Sequence, residues 1–383
     1  MIKIILSILL ISQIFSITDL YVGYSEKENY FEKVQEAIDK AASINPKKED
    51  ERVIIHIAPG TYRQQIVINT PYITFINDEP SKGDVLLTFY YGVGYKYYST
   101  NDKGFFDETL FEKKSEKKSG VYRWGASVHI LKDASYFKAQ NINFENSFNR
   151  YMTEEEIEDG VEVSGDTAIN VNRTLSLDVR AKSSTERAAA ISIEAPFVEF
   201  LNCRFYSSQD TLYTGGSPLY FKNCLIEGQT DYIFGGSNAI FDSCELRWKG
   251  FSKDPNGGHI TASNTEDFGY LFVNCKVTKN KSLQVKAGDF GRPWSKTAQV
   301  FYINTVLEDS TTIVPAGWGS MGGTSPEDVE GFKESGTKYT DGSPVNTSQR
   351  KGHVLSMDDL GYIDINGYLK DWEPTFMQES NDD

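Results

Sequence analysis

The chain has 383 residues, enough for one large core or two domains, and its 13% aromatic content and 31 glycines point to an ordered, strand-rich globular protein and exclude a disordered one. A formal net charge of −15 excludes a nucleic-acid partner, because phosphate binding needs clustered Lys and Arg. The one basic cluster, at 112–118, alternates with Glu and reads as a solvated loop.

In chain order, residues 1–18 come first: Lys3, then an apolar run from Ile4 to Ile11 that continues weakly to Phe15. That is the outline of a secretory signal peptide, too short for a membrane span of about 20 residues. A buried N-terminal strand is the alternative. No later segment is long and apolar enough to span a bilayer. The expectation is a secreted, extracellular protein whose residues 19–383 form a single domain.

Residues 28–43 have a helical pattern, with Phe31, Val34, Ile38 and Ala41 or Ala42 on one face. Segments 52–62 and 64–78 read as strands around a Pro-Gly turn. Two long polar stretches, 92–124 and 148–186, read as loops. Next comes a repeat. Cys203, Cys224, Cys244 and Cys275 each sit in a short apolar phrase, at gaps of 21, 20 and 31, and Thr305 takes the same place 30 residues on. A period near 21 with short strands predicts a parallel β-helix, in which like positions stack into inward ladders. The cysteines then form one interior stack, with aromatics such as Phe205 and Phe221 in others. A β-sandwich is the alternative, but it does not explain a phase kept over more than 100 residues. The helix would cap the open end of the solenoid. The tail beyond 320 is expected to pack along the outside. Sequons stand at Asn172, Asn280 and Asn346.

The repeat carries a second signal. Asp210 follows Cys203 by seven residues, and Asp231 follows Cys224 by seven. If one coil is 21 residues, the two carboxylates lie on adjacent coils, about 4.8 Å apart. At about 5 Å and an effective dielectric near 20 their repulsion is roughly 3 kcal/mol, or about 2 pKa units. One then stays ionised while the other keeps its proton, which offers an acid beside a base or nucleophile. A ladder of turn-capping aspartates is the alternative. Gln209 adds an amide donor for an oxyanion, Arg292 a bidentate partner for a carboxylate, and Trp294 a flat surface for a sugar ring. The four histidines are scattered without metal-ligand spacing, and neither a G-x-S-x-G elbow nor a P-loop occurs.

The phrases "QDTLY" at 209–213, "TDYIFGG" at 230–236 and "GRPW" at 291–294 resemble, in order, the signature motifs of the pectin methylesterases, carbohydrate esterase family 8. The stretches 30–41, 54–68, 313–318 and 334–350 are similar to other segments of that family. The resemblance implies a right-handed parallel β-helix and hydrolysis of galacturonate methyl esters in pectin (homogalacturonan). It implies Asp231 as nucleophile, Asp210 as acid and base, Gln209 as oxyanion donor and Arg292 as the group that orients Asp231. Trp294 and Tyr232 would pack against the sugar. No metal or organic cofactor is implied, and a monomer is expected. Where the family has a second oxyanion Gln, 22 residues before Gln209, this chain has Arg187, which can donate to an oxyanion or instead face Glu186. Gln64 stands where the early motif has Glu. Another β-helix pectin enzyme, a lyase or polygalacturonase, and a non-catalytic carbohydrate-binding solenoid are the competing readings.

Overall fold

Short apolar strands alternate with tight corners, and the corners explain the repeat. In the computed structural model, which describes residues 17–163, 186–251 and 257–378 apart from 357, 359, 360 and 362, one coil consists of Val198–Leu201, Arg204–Tyr206 and Leu212–Thr214. The next coil repeats it with Leu219–Lys222, Leu225–Gly228 and Thr230–Gly235, paired parallel and in register to the first. Stacked coils generate three parallel sheets of twelve, nine and seven described strands. The fold is an all-β parallel β-helix. Most of the expected signal peptide, and the sequon at Asn172, lie outside the described residues.

Between the first and second sheets the chain turns through one residue. Asn202, Asn223, Ser243, Asn274 and Asn304 occupy it with φ of 52–55°, the left-handed region that Asn tolerates because its short polar side chain bonds locally. The backbone N–H of Asn223 donates to Asp242 O at 3.0 Å, so each corner is tied to the next coil. The following residue points inward, which places Cys203, Cys224, Cys244 and Cys275 in one buried file of free thiols. Phe200, Phe221, Phe241, Phe272 and Tyr302 form a second file, their rings stacked 5.0, 4.6, 4.6 and 4.4 Å apart. Phe205 stacks on Phe144 in another, at 5.2 Å.

The helix spans Val34–Ile44 and buries Val34, Ala37, Ile38 and Ala41 against the first coils, closing that end. It starts later than its periodicity predicts. Tyr30–Phe31 instead pairs with Thr18–Val22 as the edge strand of the first sheet. The tail also departs from expectation. Phe332–Ser335 and His353–Leu355 extend the first sheet, and the segment from 363 packs on its outer face, setting Tyr368, Leu369 and Phe376 on Leu201, Tyr220, Ile240, Leu271 and Ile303. The stretch 92–124 is not a plain polar loop. It holds a helix, Glu108–Lys113, and its Tyr95–Lys96 pairs antiparallel with Glu162–Val163. Tyr91, Tyr95, Tyr97 and Phe148 form a buried aromatic cluster beneath it.

Candidate active site

The third sheet carries the site, on the strands Leu212–Thr214, Thr230–Gly235, His259–Ser263 and Asp289–Pro293. Arg187, Gln209 and Thr230 are successive parallel bridge partners just ahead of it, so the 22-residue offset between Arg187 and Gln209 is one coil. The next residues along, Asp210 and Asp231, sit on adjacent coils, and Asp210 N–H donates to Thr230 O at 3.1 Å. Both have left-handed backbones, φ 63° and 48°. A bulge between Thr230 and Ile233 then shifts the register against 259–261 by one residue. Such an extra residue bends the strand and re-aims side chains.

The bulge overturns one expectation. Tyr232 does not meet the cleft: it is 0% exposed, packed edge-on against Trp248 at 5.6 Å in the core. Gly228 makes this possible, since a Cβ there would lie 2.1 Å from the Cβ of Tyr232. With Tyr232 and Ile233 both inside, Asp231 and Phe234 are left facing the cleft.

That cleft, of about 190 Å³, is lined by Arg187, Gln209, Asp210, Asp231, Arg292 and Trp294, together with Trp124, Phe234, Ala262 and Met321. A larger groove of about 660 Å³ along the second sheet holds neither aspartate. The two carboxylates are set unequally. Asp231 accepts two parallel hydrogen bonds from Arg292, Nε to Oδ1 at 2.7 Å and Nη2 to Oδ2 at 2.5 Å. Such a fork is the strong, oriented form of ion pair. Asp210 is held well above the ordinary carboxyl range, chiefly by burial and then by the charge of Asp231, against the opposing pull of Arg187, Arg292 and a hydrogen bond with Gln209. Arg187 lies with its guanidinium 5.8 Å from the ring of Trp124. It does not take up Glu186, whose buried carboxylate accepts from Tyr95 OH.

Sequence reasoning missed four of these lining residues and one neighbouring pair. Trp124 comes from the 92–124 stretch, where a lone Trp among polar residues was the available signal. His259 Nδ1 contacts both carboxylate oxygens of Asp289, at 2.9 and 2.8 Å, on the adjacent coil. Burial raises the Asp289 pKa, His259 and Arg292 oppose the shift, and Asp231 reinforces it. The signal was their 30-residue separation, one long coil.

Comparison with known proteins places the chain. The pectinesterase family model matches residues 133–351, more than half of the chain. "Pectinesterase QRT1" of Arabidopsis thaliana is 28% identical over 287 residues, 74% of this chain and 60% of that protein. The chain thus spans about 60% of the length of the first curated relatives it matches. The pectin methylesterase of Aspergillus niger has the same fold, with a TM-score of 0.62 at 24% identity over 93% of this chain and 96% of the other. A pectin methylesterase solved in complex with a hexasaccharide has a TM-score of 0.63 at 19% identity over 94% and 99% of the two chains. With its motifs in order, its strands stacked in the same fold and the family model covering most of the solenoid, the chain belongs to the pectinesterase family.

Proposed function

We propose that the protein is a secreted carboxylic ester hydrolase, its residues 19–383 one working unit, that removes methyl groups from galacturonate esters of pectin and releases methanol. The observation that carries this reading is the unequal pair in one cleft: Asp231 clamped by Arg292, and Asp210 buried beside that charge, so that burial and charge together push its carboxyl well above the ordinary range. An ionised carboxylate is a nucleophile, and a protonated neighbour is the acid its leaving group needs. The hexasaccharide held by one solved neighbour accords with a sugar chain as ligand.

In this reading an oxygen of Asp231 attacks the ester carbonyl. The carbonyl oxygen becomes an oxyanion, which Gln209 and the Arg187 guanidinium stabilise by donated hydrogen bonds. The intermediate collapses, the bond to the methoxy oxygen breaks, and Asp210 gives that oxygen its proton, so methanol leaves. An acyl anhydride on Asp231 remains. Asp210, now ionised, takes a proton from water, whose oxygen attacks the acyl carbon. Collapse returns Asp231 as carboxylate, Asp210 as acid and the sugar as free acid. Trp294 and Trp124 supply flat apolar surface for the pyranose rings.

The test is methanol release from highly methylated pectin. Asp231→Ala is expected to lower the rate at least ~10³-fold. Arg187→Gln keeps a donor and is expected to stay within about 10-fold of wild type, whereas Arg187→Ala loses about 10²–10³. A folded wild-type protein that frees no methanol from several pectins would overturn the reading in favour of a carbohydrate-binding solenoid.

A further inference from the structure

We propose that the insertion at 92–124 closes one end of the cleft, so that an ester is cleaved only within one or two sugar units of a chain end. This rests on the esterase reading above and narrows its substrate class to chain termini of esterified galacturonan and to short oligomers.

The outward row of the third sheet can be followed coil by coil, because His129, Ser192, Tyr213, Phe234, Ala262 and Arg292 are successive register partners. Side chains on the outer face of a bare solenoid meet solvent. His129 and Ser192 face outward yet are 0% and 1% exposed. The insertion covers the first and is tied down beside the second, at Glu194. Phe105 and Tyr122 meet the His129 ring at 5.2 and 5.3 Å. The cover is fastened to the sheet: Tyr122 OH donates to Glu194 at 2.9 Å, and Arg123 pairs with the same carboxylate at 3.3 Å. Trp124 follows directly, lying against Phe234 at 5.2 Å and under the Arg187 guanidinium. The open floor therefore begins beside Tyr213 and runs toward Arg292.

The lining side chains come from successive coils, so the long axis of the cleft follows the stack. Coils are about 4.8 Å apart, close to the length of one pyranose unit. Asp231 lies on the Phe234 coil, two coils or about 10 Å from the buried Ser192. On that side the floor stays open for about one sugar beyond the reacting unit, over the Tyr213 coil, with Trp124 of the insertion already at its edge beside Phe234. In the other direction the floor continues over Ala262 and Arg292, with Met321 at its rim.

Fully methylated oligogalacturonides from tetramer to octamer, with oxygen-18 at the reducing end, test this. The full chain acts on each, and tandem mass spectrometry locates the first methyl lost. The loss is expected at the first or second unit of one end at every length, at least ~10-fold faster than at internal units. First losses spread through the interior of the octamer would overturn the inference and leave the esterase reading intact. No methanol from any oligomer or from pectin would overturn both. Phe105→Ala combined with Tyr122→Ala uncovers His129 and is expected to move cleavage inward. An unchanged end pattern, in a variant with wild-type circular dichroism, would also overturn the inference.

Discussion

Asp231 has both carboxylate oxygens bonded by Arg292, whereas Asp210 is buried beside that charge, and the difference fixes how the fold responds to pH. Folded Asp210 keeps a proton that the unfolded chain releases near pH 4. The folded state then binds more protons than the unfolded one, so stability falls as pH rises from that value through the raised pKa. Asp210→Asn removes this dependence. The variant is expected to be more stable than wild type at pH 7, with the difference shrinking toward zero below about pH 4, while methanol release falls about 10²–10⁴-fold. Urea denaturation at the two pH values checks the first part; equal stability gains at both would contradict it. At this scale the sequence held the aspartate pair, because a like position one coil on is a like position in space. It did not reveal Tyr232, because strict alternation fails at the bulge and sends two consecutive residues inward.

The corner between the first and second sheets is the element that sets the period. Its residue needs positive φ and an N–H that reaches the next coil. Asn223→Gly meets both needs and is expected to change stability by less than about 0.5 kcal/mol. Asn223→Val places a branched side chain in the left-handed region and is expected to cost about 1–2 kcal/mol by urea denaturation. The phrase of Asn or Ser before Cys is thus legible twice: a turn residue, then a small inward filler. The late helix start was less legible, since Phe31 continues the helical spacing while its backbone is claimed by strand pairing with Val22. The long stretch 92–124 looked polar because its aromatics are interleaved with charged residues; only folding gathers its Tyr95 and Tyr97 with Tyr91 and Phe148.

For the whole molecule, in the esterase reading, the charge of −15 faces a substrate that becomes more anionic with each ester removed. The protein is expected to leave its product readily, and inhibition by de-esterified polygalacturonate should strengthen as salt is raised from about 50 to about 200 mM, because screening weakens the repulsion. Weaker inhibition at high salt would mean that the local cations Arg187 and Arg292 dominate instead. The stack also has an asymmetry of length. Between Phe89 and Val128, Asn146 and Ile191, Trp248 and His259, and Lys279 and Asp289, the chain departs from the second sheet and returns to the third, and from Val53 to Ile303 these are the longest connections between described strands. A detour lengthened there costs only about 0.6 kcal/mol of closure entropy per doubling, whereas a one-residue slip inside a strand would evert a whole file of side chains. Scaffold and rim can therefore diverge independently: descendants of this chain can acquire new borders around the same reacting atoms by insertion at that single edge, with the two aspartates and their arginine held in place by coils whose first two sheets keep one register beneath them.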